Sequence, residues 1–206
     1  MLHFTGASSV QEILAASISP SITSSISGNA PAELKGMAIR WYDLLHQRGG
    51  YVRQIREKLT ITEISLVSKP GEERGAQVKM VCELDVAPET CSSAGILDVG
   101  CIGFLVDEGS SIALQLLSIL QKGSPHMGVS QCLNLQFHGE VAQGGKIIIV
   151  NRSVSKKTDV GCCTSEVWEV TNARKLVASA THLVVPSSMS PALKQEISTR
   201  QPQARL

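Results

Sequence analysis

The chain has 206 residues, 43% of them hydrophobic and only 3% aromatic, with a formal net charge of +1. That length allows one domain of ordinary size with extensions, built on an aliphatic core. With no basic stripe and few aromatic platforms, nucleic-acid binding is argued against; no apolar run reaches the ~18–20 residues that cross a bilayer.

Residues 1–30 are rich in Ser, Ala and Ile and read as a flexible arm with one short helix near Val10–Ala16. They contain no Lys or Arg, so they make neither a signal peptide nor a typical mitochondrial presequence. Pro31-Ala32-Glu33 opens a helix, because proline suits the first turn. To about Arg48 that helix places Leu34, Met37, Ala38, Trp41, Leu44 and Leu45 on one face. Gly49-Gly50 ends or kinks it, and residues 31–58 as a whole form a helical extension. Both Trp41 and Trp168 read as packing anchors rather than ligand platforms.

From Leu59 the period changes. Thr60–Ser68 and Gln77–Val86 alternate as half-buried strands do, and the turn Lys69-Pro70-Gly71-Glu72 makes them a hairpin. Gly100–Gln121 is apolar nearly all round, which places a helix in the middle of the protein. Four strands follow: Gly128–His138, Lys146–Val154, Gly161–Val170 and Lys175–Val185. The last three are joined by short loops and should pair as an antiparallel meander. Residues 187–206 form a polar tail. Two strands, a buried helix and four strands predict an α+β domain over 59–186, a curved antiparallel sheet wrapped around one helix.

The six cysteines, Cys82, Cys91, Cys101, Cys132, Cys162 and Cys163, form no C-x-x-C pair and read as reduced, structural thiols. His126 and His138 carry no metal-ligand spacing, so no metal site is expected. The most informative stretch is SSAGILDVGCIGFLVDEGSS, from Ser92 to Ser111. A small glycine-containing loop leads into the apolar helix, and one carboxylate, Asp107, sits among Phe104, Leu105, Val106 and Ile112. A charge in such company needs a partner or a task. Backbone N–H groups at the helix start, with a carboxylate nearby, suit polarising a carbonyl and activating water. The alternative for Asp107 is a structural acid bonded to the loop. Asp98 reads as the helix N-cap, a position where a carboxylate also opposes an oxyanion.

Ser92 to Val185 resembles the acyl-CoA thioesterases of the phenylacetate-pathway (PaaI-like) type, including the acyl-CoA thioesterase 13 group, which have the hot-dog fold. The family's motif is Asn, two residues, Gly, one residue, Leu, His-Gly-Gly, then Asp seven residues later. Here these positions hold Ser92, Gly95, Leu97, Asp98-Val99-Gly100 and Asp107. The family's Gly-Val-Ser is intact as Gly128-Val129-Ser130. The resemblance implies thioester hydrolysis with no metal or redox cofactor, the CoA thioester being the substrate. It implies that the Val99 N–H holds the carbonyl oxygen, that Asp107, reaching across a dimer interface, activates water or attacks the carbonyl, and that Ser130 orients the water or the carboxylate. Ser92 would bind substrate alongside Asp98, Gly95 and Gly100 would allow close approach, and Lys156 and Lys157 would contact CoA phosphates. A homodimer, or a dimer of dimers, is implied because one chain leaves the site half-built. The departures at Ser92, Asp98 and Val99 leave open a weak or inactive relative that binds acyl-CoA or only dimerises. A cytoplasmic location is expected, with mitochondrial or peroxisomal alternatives; the final Ala204-Arg205-Leu206 loosely matches a peroxisomal tripeptide.

Overall fold

The computed structural model describes residues 16–45, 58–68, 76–125, 128–155 and 160–186, together with 13, 54 and 55. The helices are α1 (Pro20–Ser25), α2 (Ala32–Leu45) and α3 (Val99–Lys122). The strands are β1 (Leu59–Ser68), β2 (Ala76–Asp85), β3 (Gly128–Phe137), β4 (Lys146–Ser155), β5 (Gly161–Glu169) and β6 (Lys175–Pro186).

Helix α3 organises the rest. Asp98 caps its start, and Gly123, at φ 67°, stops it by turning its N–H back to Ile119 O. A left-handed residue of this kind suits glycine, which has no Cβ to clash. Between the caps, Cys101, Leu105, Val106, Ile112, Leu116 and Leu117 are buried. Helix α3 lies across β2, β4, β5 and β6 and also meets α2. Its length and composition would let it cross a bilayer, although no uninterrupted apolar run was expected to be long enough; most of it is instead buried inside this protein.

The sheet has the order β1-β2-β4-β5-β6-β3, with every neighbouring pair antiparallel. The expected meander is β4-β5-β6, and β3 pairs with β6 at the far edge. Along β5 burial alternates residue by residue, with Cys163, Ser165 and Val167 facing the helix. This is the wrapped-helix, hot-dog arrangement that the order of elements predicted.

Residues 16–30 correct the expected flexible arm. Beyond α1, residues 26–30 seal the edge of β1: Ser27 N–H donates to Thr62 O, Ile64 N–H to Ser27 O, and Ala30 N–H to Ile64 O. The Asn29 side chain continues the pairing, accepting from Leu66 N–H and donating to Leu66 O. Gly28 is at φ 91°, and a Cβ there would lie 2.3 Å from Ile64 O. The buried Lys35 ammonium donates to Ile26 O and Gly28 O, tying α2 to the same segment. Leu34, Ala38 and Trp41 of α2 are buried, and Met37 and Leu44 pack against them, as the sequence stripe predicted. Each buried side chain of Leu size adds about 1.5–3 kcal/mol, so the extension shares the domain's core. The segment expected to be helical near Val10–Ala16 lies largely outside the described residues, as do Gly49-Gly50, the Lys69–Glu72 turn, His126 and residues 187–206.

Candidate active site

The loop before α3 is short and held by backbone hydrogen bonds. Ser92 N–H donates to Ile96 O, Gly95 N–H to Ser92 O, and Asp98 N–H to Thr90 O. Gly95 takes φ 72°, and a Cβ there would meet nothing within 4 Å. Its reason is therefore the turn itself rather than close packing. The Ser92 hydroxyl makes no hydrogen bond among the described residues.

Asp98 is the N-cap of α3. Its Oδ1 accepts from Gly100 N–H at 2.8 Å and from Cys101 N–H at 3.2 Å. Gly100 serves this cap: a Cβ on it would lie 2.9 Å from that oxygen. Within the protein, close packing at Gly100 is against Asp98. Val99 is the first residue of the helix, and its side chain is 58% exposed. Its N–H is one of the donors a helix start leaves without an internal partner.

Asp107 lies two turns along the same helix, with its side chain 40% exposed. Ser130, on β3, donates its hydroxyl to Asp107 Oδ1 at 3.0 Å. One extra residue, Gln131, interrupts the β3–β6 register directly after Ser130. Such bulges re-aim neighbouring side chains. Behind this pair stands His182 of β6, fully buried. Its Nε2 is 2.9 Å from Ser130 Oγ and 3.4 Å from Asp107 Oδ1. Its Nδ1 is 2.6 Å from Ser110 Oγ, on the turn of α3 after Asp107. Ser110 Oγ also lies 2.6 Å from Val106 O, so its one proton is shared between that carbonyl and Nδ1. With the His182 proton on Nε2, Nε2–H donates to Ser130 Oγ and Ser130 O–H to Asp107 Oδ1. The chain of donors ends on the carboxylate and holds one oxygen of it in place. Burial holds the His182 imidazole below its usual 6.5, and the Asp107 carboxylate offsets part of that.

A second buried polar pair lies under the same turn. Asn151 Oδ1 accepts from Ser165 Oγ at 2.7 Å, and a Cβ on Gly109 would come 2.5 Å from Asn151 Nδ2. Gly109 thus lets α3 sit close to the sheet where Asp107 and Ser110 are placed.

Asp107 and Ser130 lie within hydrogen-bond distance, and Val99 stands apart from both along the helix. Eight residues of helix separate Val99 from Asp107, about 12 Å along the axis. One carbonyl group cannot touch both within one chain. Lys156 and Lys157 lie outside the described residues. Sequence reasoning missed His182 and Ser110. Strand alternation, with Ala180, His182 and Val184 all facing inward, was the signal for His182. His138 is a surface residue bonded to Ser179 Oγ. Trp41 anchors the core, whereas Trp168 is half-buried and stacks under the Arg174 guanidinium at 4.8 Å.

No protein-family model and no curated protein sequence matches the chain. Solved structures do. Zebrafish thioesterase superfamily member 2 superposes with a TM-score of 0.55 at 23% identity, over 72% of this chain and 94% of that one. The mouse thioesterase superfamily member 2 gives 0.52 at 24% identity, over 72% and 96%. The Escherichia coli PaaI protein from the phenylacetic acid degradation operon gives 0.53 at 11% identity, over 74% and 95%. Element order, sheet order and these superpositions agree: the chain has the hot-dog fold of the PaaI-like thioesterase structures.

Proposed function

We propose that the chain hydrolyses acyl- or aryl-CoA thioesters in a site completed by a second copy of itself. The observation that carries this reading is the Asp107–Ser130–His182 cluster: a half-exposed carboxylate held from behind by a buried imidazole and a hydroxyl. Such a carboxylate is set to take a proton from water while its position is fixed by neighbours. The water oxygen bonds to the thioester carbon, and its proton passes to Asp107. The C–S bond then breaks, and the thiolate takes a proton to leave as CoA.

The carbonyl oxygen needs a donor while it carries negative charge. The roughly 12 Å of helix axis between Val99 and Asp107 supports dividing these roles between different chains. Among the described residues, strand β3, which carries Ser130, ends the sheet and pairs only with β6. The opposite edge is sealed by residues 26–30. An open edge strand is a template for another strand, so a two-fold dimer through β3 supports the composite site, and a dimer of dimers is compatible with it. In this reading Ser92 and Gly95 border the acyl-CoA, and Lys156 and Lys157 meet the CoA phosphates.

One observation favours a second reading, a protein that binds acyl-CoA with little turnover: the Asp98 carboxylate occupies the start of α3. Thiol release from short, long and aromatic acyl-CoAs, beside thermal stabilisation by the same esters, separates the two. Hydrolysis predicts release that Asp107→Asn lowers by about 10²–10⁴-fold. Stabilisation without release selects the binder, and release that is unchanged in Asp107→Asn removes Asp107 from the mechanism.

A further inference from the structure

We infer that Asp98 sets the rate of this site, its carboxylate filling the anion position at the start of α3 and opposing the charge that develops on the substrate oxygen at Val99 N–H. The inference rests on the hydrolytic reading above.

A helix start carries roughly half a positive charge, concentrated on its first N–H groups. In this chain two of those groups, Gly100 N–H and Cys101 N–H, are already spent on Asp98 Oδ1. The full negative charge of the carboxylate more than cancels the helix's partial positive one. The cap is built in: Asp98 sits at φ −69° and ψ 134°, its own N–H is held by Thr90 O, and its C=O accepts from Ile102 N–H. Gly100 leaves only enough room for the oxygen. Leaving this position would cost the carboxylate both capping hydrogen bonds.

Val99 is the next residue, so an oxygen bound to its N–H lies within about 6 Å of the Asp98 carboxylate. Two like charges at that distance, between the screening of water and that of a protein surface, repel enough to slow the step by about tenfold or more. A thioester carbonyl carries only partial charge before attack and nearly a full one at the transition state. The repulsion therefore falls on kcat and spares KM.

Asparagine separates charge from capping, because its side-chain oxygen caps a helix as well as aspartate does. Asp98→Asn should raise kcat by about tenfold or more with KM and Tm nearly unchanged. Asp98→Ala should share the rise in kcat but lower Tm, since it loses the cap. Wild-type turnover that Asp98→Asn leaves equal or slower would overturn the inference and leave the hydrolytic reading standing. A gain in Asp98→Ala alone would also overturn it, by assigning the effect to a loosened helix start. No thiol release from the wild type or either variant would overturn the hydrolytic reading, and this inference with it.

Discussion

Val99 offers a backbone donor that one substitution can delete without disturbing the helix. Proline has no N–H, and at the first position of a helix it costs little, because that N–H has no internal partner. The residue before a proline must be extended, and Asp98 already is, at ψ 134°. The Val99 side chain is 58% exposed, so little burial is lost. Val99→Pro should therefore leave Tm within a few degrees of wild type while removing the donor to the carbonyl oxygen. Loss of one such donor lowers kcat by about 10²–10³-fold, or roughly 2.7–4 kcal/mol. The assay is steady-state thiol release with separate kcat and KM. A folded Val99→Pro protein with wild-type kcat would refute the role of this N–H. A rise confined to KM would make Val99 a contact for bound substrate only.

Two further outcomes follow from the geometry around the site. His182 is held below 6.5 by burial, so the unfolded chain takes up this proton first as pH falls. Its contribution to stability is full above about 6.5, is lost as pH drops from there to the native value, and then levels off. Thermal unfolding at a series of pH values should show this acid loss in the wild type and a shallower slope in His182→Gln; equal slopes would contradict the burial argument. Gly28→Ala combines a left-handed φ with a Cβ 2.3 Å from Ile64 O. It should cost roughly 2–4 kcal/mol by unsealing β1, read as a lower Tm, and a neutral substitution would show that residues 26–30 do not clamp the edge.

Strands and the central helix were legible because local chemistry marks them. Gly144-Gly145 and Thr171–Arg174 punctuate period-two runs, and β4 to β6 begin at the expected residues. A helix apolar on every side has nowhere to lie but inside the sheet. The Asp98 cap was legible from residue type and position. His182 and Ser110 were not: they are 72 residues apart, and only the packing of α3 over β6 brings them to 2.6 Å. Residues 16–30 misled because a stretch rich in Ser, Ala and Ile reads as a weakly ordered arm. What orders residues 27–30 is backbone pairing with β1, which composition does not encode. Gly95 and Gly100 stood out as glycines of the loop, but their local reasons, a left-handed turn and room for the Asp98 oxygen, depend on backbone angles and cap geometry that residue type alone does not carry.

A site assembled from Asp107 of one chain and Val99 N–H of another is tested by mixing two crippled variants. Val99→Pro and Asp107→Asn are combined, exchanged through partial unfolding and refolding, and assayed for thiol release. Random pairing makes about half the dimers mixed, each with one intact site of two, so about a quarter of wild-type activity should return. Activity no greater than the sum of the separate variants, with mixed dimers present, would contradict a site shared between chains.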